Sequence, residues 1–139
     1  MIIDAENLII GRVAAFVAKK ALLGEKIDIV NCEKAVITGN KTNILKGYNN
    51  KVNHMGTYKK GPFYIRSPDR MLRRVVRGML PYKQYKGADA YKRVMCYNGV
   101  PEEFKDKKIE TLSSANIEKI PNLKFISLRD VCKSVGGRV

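Results

Sequence analysis

The stretch IIDAENLIIGRVAAFVAKKALLGEKIDIVNC, residues 2–32, predicts how the chain begins to fold. The short apolar runs at its two ends are typical of β-strands. The segment between them, residues 11–24, repeats apolar side chains at helical spacing and ends in Gly24, a residue common just after a helix. Strand, helix and strand in this order are typical of an α/β fold with a largely parallel sheet.

The rest of the chain continues this alternation. Further strands are predicted at residues 35–38, 92–97 and 123–128, and further helices at 43–52, 67–80 and 129–135. Residues 53–66 contain two glycines and a proline and are predicted to form an extended loop. Without an internal repeat or a linker, residues 1–139 are expected to form one domain.

The positive charge is concentrated in one part of the chain. The 139 residues carry a formal net charge of +14, and the segment 41–94 holds 14 Lys and Arg but only two acidic residues. Six of the seven tyrosines lie in the same segment. Cations mixed with aromatic rings suit RNA, because phosphates attract the cations and unstacked bases stack on the rings. For any single residue there is an alternative to RNA contact: a tyrosine can be packed against the protein, and a lysine can be solvated.

The segment SPDRMLRRVVRGML, residues 67–80, shows the clearest helical pattern. Ser67 is a candidate cap, Pro68 suits the first turn and Pro81 ends the helix. On a helical wheel the arginines share a strip about 100° wide, opposite a broad apolar arc. These arginines are Arg70, Arg73, Arg74 and Arg77. Because no acidic residue within the strip relieves their repulsion, the strip indicates a polyanion partner rather than a plain solvated face.

Other classes of function have weaker support. The sequence contains no run of about 18 apolar residues, so no membrane-spanning helix is predicted. Three widely spaced cysteines and a single histidine predict neither a disulfide framework nor a metal site, so the cysteines are expected to be reduced and mostly buried. The segment GNKT, residues 39–42, follows a predicted strand and precedes a helix, as a phosphate-binding loop does. It lacks the glycine spacing of such a loop and retains only a helix start with Lys41. A small nucleotide-binding enzyme built on GNKT therefore stays as the alternative function.

Three motifs in order resemble the universal large-subunit ribosomal protein family numbered thirteen. They are IIDAENLIIGRVAAFVAK (2–19), IVNCEKAVITGNK (29–41) and VVRGMLPYKQYKGADAYKRVMCYNGVP (75–101), the last with the RGMLP signature. The connection GTYKKGPFYIRSP, residues 56–68, is similar to that of the archaeal and eukaryotic branch. The tail from about residue 105 is less diagnostic.

This resemblance implies a three-layer α/β/α domain around a mostly parallel sheet of about four strands. It implies a cytoplasmic, non-enzymatic constituent of the large ribosomal subunit that binds large-subunit ribosomal RNA, contacts neighbouring ribosomal proteins and supports early assembly. No cofactor, metal, membrane or small-molecule substrate is expected. The expected RNA-binding residues are Arg70, Arg73, Arg74 and Arg77, flanked by Lys59, Lys60, Lys83, Lys86, Lys92 and Arg93, with Arg12 and Lys41 as further candidates.

Overall fold

The computed structural model describes residues 1–53, 59–122 and 124–137. Strands and helices alternate along these residues, as expected from the sequence. The strands are β1 (Ile2–Asp4), β2 (Ile27–Val30), β3 (Val36–Thr38), β4 (Val94–Cys96) and β5 (Phe125–Ser127). The α-helices are α1 (Ile10–Leu22), α2 (Lys41–Asn53), α3 (Pro68–Met79), α4 (Tyr85–Lys92) and α5 (Leu128–Ser134). None of the helices in the described ranges is long and apolar enough to span a bilayer.

The main sheet is parallel and has the strand order β1-β2-β4. Ile29 in the central strand lies opposite Ile3 on one side and Cys96 on the other. The prediction of an α/β fold with a mostly parallel sheet is confirmed. The expected sheet of about four strands is instead divided into this parallel sheet of three strands and an antiparallel pair, β3 with β5. A 3-10 turn at Cys32–Lys34 separates β2 from β3 and carries the chain into the second sheet.

Helices cover one face of the main sheet. On α1 the residues Val13 and Val17 are fully buried, and on α3 the residues Leu72 and Val76 are fully buried. These side chains belong to the same apolar cluster as Ile29 of the central strand. Because both helices bury one face in this cluster, the opposite face of α3 is held in a fixed orientation toward solvent.

The other face of the sheet has a thinner cover than an α-helical layer would give. Ile2 and Val30 pack there with Phe104, which lies in a 3-10 helix. The tail also returns to the edge of the sheet, since the Asp4 amide donates to the Glu110 carbonyl at 3.0 Å and the Glu110 amide donates to the Ile2 carbonyl at 2.9 Å. The beginning of the less diagnostic tail, up to Glu110, is therefore packed against β1.

Helix α4 was not predicted. Residues 82–91 show only a basic and aromatic composition, because a helix of eight residues that buries Gly87 and Ala90 gives a weak apolar period. Helix α2 is longer than the predicted 43–52, since the Asn40 side chain accepts a hydrogen bond from the Thr42 amide at 3.1 Å and supports an earlier start. Within the loop predicted at 53–66, residues 54–58 lie outside the described residues.

Candidate nucleic-acid interface

Helix α3 presents the arginine strip from a buried base. Its first residue is Pro68, and its buried side includes Met71, Leu72 and Val76. Ser67 occupies the position before the helix, as predicted, but it does not cap a backbone amide. Its hydroxyl donates instead to the carboxylate of Asp69. The helix is therefore fixed by its apolar face and its proline start rather than by a side-chain cap.

Three of the four predicted arginines lie over tyrosine rings. The distances from guanidinium carbon to ring centroid are 4.6 Å for Arg73 over Tyr91, 4.9 Å for Arg74 over Tyr64 and 5.1 Å for Arg77 over Tyr82. A cation over an aromatic face gains about 0.5–2 kcal/mol. This gain offsets the repulsion of a few tenths of a kcal/mol between arginines three or four residues apart. The tyrosines come from three different segments, so the fold assembles the pairs rather than the helix alone.

A further tyrosine of this surface, Tyr48, lies on α2. The rings of Tyr48 and Tyr64 meet edge to face with centroids 6.1 Å apart, and the Lys51 ammonium lies 5.1 Å from the Tyr48 centroid. The four side chains Lys51, Tyr48, Tyr64 and Arg74 form a continuous series that we call the cation–tyrosine row. Burial raises the pKa of both phenols, and the charge of Arg74 partly opposes this effect at Tyr64. Both rings are therefore neutral at physiological pH.

Arg73 is the most constrained member of the strip. Its Nε is buried and has no hydrogen-bond partner among the described residues. The guanidinium lies over the Tyr91 ring on α4, and the helix beneath it is packed in the core. A donor group held in this way loses little further conformational freedom when an anion binds.

Arg70 differs from the other three because its side chain is exposed, and it lines a groove together with Arg66. The predicted lysines lie before and after α3 in the sequence and are exposed. They are Lys59, Lys60, Lys83, Lys86 and Lys92. Sequence reasoning missed Arg66, although it lies in the same basic segment.

Arg93, Arg12 and Lys41 are placed differently from the strip. The Arg93 guanidinium pairs with the Asp89 carboxylate and also donates to the Ala21 carbonyl at 3.3 Å, so it joins α4 to the end of α1. Arg12 is exposed near the start of α1 and donates to the Ser114 carbonyl at 3.3 Å. Lys41 is exposed at the start of α2. None of these three residues forms one of the Arg–Tyr pairs described above.

The GNKT segment forms a helix start beside a shallow groove of about 250 Å³, lined by Gly39, Asn40, Lys41, Lys124 and Phe125. The Asn40 side chain already accepts the Thr42 amide, so this amide is not free to bind a phosphate. In the described part of the chain, no group of three or more His, Cys, Asp or Glu side chains is placed to hold a metal ion. All three cysteines are free and buried, as predicted.

The tyrosine partners of the arginines were not identified individually from the sequence. The six tyrosines in residues 41–94 gave a signal of composition only, and pairing depends on how three loops and helices meet α3. Gly87, which lies within the motif of residues 75–101, has a clear steric role. A methyl group added at this position would collide with the Pro81 carbonyl and would lie 2.9 Å from the Tyr82 nitrogen. The glycine thus lets α4 approach the turn that carries Tyr82.

Comparison with known proteins gives a consistent result. The model of the family described as "Ribosomal protein L13" matches residues 1–103. A "Large ribosomal subunit protein uL13" from Methanococcoides burtonii is 42% identical over 137 residues, which cover 99% of this chain and 98% of the relative. The protein of the same name from Methanosarcina barkeri is 44% identical over 138 residues, with 99% and 98% of the two chains covered. That from Thermoplasma acidophilum is 40% identical over 136 residues, covering 98% of each chain.

These relatives are archaeal, in agreement with the branch that residues 56–68 resemble. The matches extend over nearly the whole chain and include the tail from residue 105. The three motifs, the mostly parallel α/β fold and the full-length similarity agree, and the chain belongs to the ribosomal protein L13 family.

Proposed function

We propose that this chain is a structural, non-enzymatic constituent of the large ribosomal subunit in the cytoplasm and that it binds large-subunit ribosomal RNA through α3 and its flanking loops. The observation that carries this proposal is the set of three Arg–Tyr pairs on one face of a core-anchored helix. The names of the relatives support the assignment to the large subunit, since both relatives are called large ribosomal subunit proteins and match this chain over nearly their whole length.

The chemistry of the strip suits the phosphate backbone of folded RNA. A guanidinium presents a planar fork that binds phosphate through two hydrogen bonds. Stacking over a tyrosine leaves the edge of the guanidinium free to donate while it restricts the motion of the side chain. Each charge-assisted hydrogen bond contributes about 1.5–3 kcal/mol. Several such bonds from one rigid helix would hold RNA segments in a fixed arrangement.

The flanking residues have different roles in this proposal. The exposed lysines at positions 59, 60, 83, 86 and 92 extend the positive field around α3 and attract RNA without fixing its orientation. Arg93 contributes less to RNA binding than Lys92, because its guanidinium is engaged with Asp89 and Ala21. Arg12 and Lys41 are exposed and are further candidates for RNA contact.

An early role in assembly is consistent with this arrangement. The arginine surface lies on a helix that is anchored in the core by fully buried residues such as Leu72 and Val76. A preorganised cationic surface loses little entropy on binding and can join RNA segments before the subunit is complete. The nucleotide-binding enzyme built on GNKT has less support, since Asn40 occupies the amide that a phosphate would need.

The proposal is tested by salt-washing of large subunits from cells that express an epitope-tagged copy of the chain. The tagged protein is expected to co-sediment with large subunits at high salt. A variant with Arg73→Ala and Arg74→Ala is expected to be released at lower salt, whereas Lys26→Ala with Lys119→Ala, which removes the same charge from exposed positions outside residues 41–94, is expected to be retained. Recovery of the wild-type chain only in the unbound fraction would contradict the proposal.

A further inference from the structure

An open groove of about 430 Å³ lies beside the start of α3. Its walls are formed by the loop before the helix and by the end of the chain's last helix. The lining residues are Phe63, Tyr64, Ile65, Arg66, Ser67, Arg70, Gly136 and Gly137. Its size lies within the range of about 300–1,000 Å³ typical of small-ligand sites.

The groove depends on a close approach between Gly137 and Arg66. The Gly137 amide donates to the Cys132 carbonyl at 2.8 Å, which fixes the end of α5. A methyl group on Gly137 would collide with the Arg66 carbonyl. Gly136 has a φ of +78°, a conformation that glycine adopts at little cost, and a Cβ added there would lie 3.5 Å from Nη1 of Arg66. Two consecutive glycines therefore bring α5 against the loop and close one side of the groove.

The charge of the groove is positive. Arg66 and Arg70 are the charged residues that line it within the described part of the chain, and both are exposed. The nearest acidic residue in sequence, Asp69, accepts a hydrogen bond from Ser67 and does not line the groove. Among the residues that the structure describes, two guanidinium groups and no carboxylate line this groove, and such a pair is complementary to a phosphate group.

The groove is also lined by an exposed aromatic ring that does not pack in the core. Phe63 is 76% exposed, and it is not part of the apolar clusters that form the core. The turn before it contains Gly61, whose φ is +74° and where an added Cβ would lie 3.1 Å from the Phe63 ring. The backbone thus holds the ring against the turn and presents it at the rim. An exposed ring beside two arginines is typical of a surface on which an unstacked base lies.

We propose that this groove binds a single unstacked nucleotide of large-subunit ribosomal RNA. The base stacks on Phe63, and the adjoining phosphate is bound by Arg66 and Arg70. This inference rests on the proposed RNA-binding function and adds a specific contact to it. The strip on α3 binds backbone phosphates, whereas the groove selects a nucleotide that has left its helical stack.

The absence of tryptophan from the chain gives a direct test. The Phe63→Trp variant carries a single indole at the groove, and Leu23→Trp provides a matched control, because Leu23 is 71% exposed at the end of α1 and does not line the groove. Each variant is titrated with transcribed large-subunit ribosomal RNA while tryptophan emission is recorded. Binding of the same RNA is measured independently by filter retention.

The Phe63→Trp emission is expected to be quenched in proportion to bound RNA, with little change for Leu23→Trp. Retention of RNA with unchanged Phe63→Trp emission would overturn the groove assignment and leave the proposed function intact. If the wild-type chain does not retain RNA on the filter even at low salt, the proposed function itself is overturned. The two failures are therefore distinguishable.

A second measurement separates stacking from charge. Phe63→Ala is expected to weaken RNA binding about 10-fold at every salt concentration, without changing the salt dependence, because no ionic contact is removed. Phe63→Tyr is expected to retain wild-type affinity. An Arg66→Gln variant is expected to weaken binding and also reduce the salt dependence. Equal affinities for Phe63→Ala and the wild-type chain would contradict the proposal.

Discussion

The guanidinium carbon of Arg74 lies 4.9 Å from the centroid of the Tyr64 ring, and the same ring meets the Tyr48 ring edge to face. The contact joins α3 to the loop before it and, through Tyr48, to α2. An arginine that appears on a helical wheel as one of four free charges is in fact part of a packed row. The Arg74 side chain therefore both carries a positive charge and packs against a neighbouring ring.

The tyrosines of this row predict a loss of stability at alkaline pH. Burial raises the pKa of Tyr48 and Tyr64 above the ordinary value of 10.0. The unfolded chain releases these protons near 10.0 while the folded chain keeps them, so the free energy of unfolding falls as pH rises from about 10 toward the folded pKa values. Well below pH 10 the two phenols contribute no pH dependence. Denaturant unfolding measured at several alkaline pH values checks this expectation.

A variant with Tyr48→Phe and Tyr64→Phe provides the control for that measurement. Its decline in stability above pH 10 is expected to be shallower than that of the wild-type chain, because two shifted phenols are removed. An identical decline in both proteins would show that other groups cause it.

The close approach at Gly87 predicts a large effect of one added methyl group. Gly87→Ala is expected to destabilise the chain by about 1–3 kcal/mol, the range for overpacking, because the new Cβ collides with the Pro81 backbone. Gly47→Ala is the matched control, since a Cβ there meets no atom within 4 Å and the glycine lies inside α2. It is expected to stabilise by about 0.5–1 kcal/mol. Thermal unfolding compares the two, and equal stabilities would contradict the packing described for α4.

Arg93 is expected to act on stability more than on RNA binding. Arg93→Ala removes the pair with Asp89 and the bond to the Ala21 carbonyl, at a cost of about 1 kcal/mol for this partly exposed site. Lys92→Ala, at an exposed neighbouring position, is expected to leave stability unchanged and to weaken RNA binding slightly. The opposite ranking, with Arg93→Ala stable and the more defective in RNA binding, would place Arg93 in the interface.

The cysteines are expected to be unreactive in the folded chain. All three are buried, and burial, with the nearby charge of Asp69, raises the pKa of Cys132 to about 11. The neighbouring Cys96 side chain and burial raise the pKa of Cys32. A disulfide exchange reagent at pH 8 should therefore modify no thiol in the native protein and three after denaturation. Rapid modification of one thiol without denaturant would contradict the described core.

Much of the fold follows from local sequence patterns. The order of β1, α1 and β2 could be predicted because each element has a clear apolar period and Gly24 marks the end of the helix. The division into two sheets could not, because strand pairing depends on the turn at Cys32–Lys34 and on the return of residues 125–127 from the far end of the chain. Helix α4 was missed because its close packing relies on a glycine, which leaves no apolar signal.

The arginine face of α3 was predicted by position, and the structure places these residues on one anchored helix. The wheel shows directions around one helix and contains no information about residues from other segments. The helical wheel could therefore not predict the pairs with Tyr64, Tyr82 and Tyr91. Phe63 and Arg66 were not selected for a similar reason, since the groove exists only where α5 meets the loop.

The salt dependence of RNA binding tests the central role of the arginine strip most directly. Association constants for large-subunit ribosomal RNA are measured at several salt concentrations for three proteins: wild type, Arg73→Ala with Arg74→Ala, and Lys26→Ala with Lys119→Ala. Each phosphate contact contributes about 0.7–0.9 to the slope of log affinity against log salt. Removing Arg73 and Arg74 is expected to reduce the slope by about 1.4–1.8, and removing the two control lysines is expected to leave it nearly unchanged. A slope that is the same in all three proteins would contradict the assignment of phosphate binding to α3.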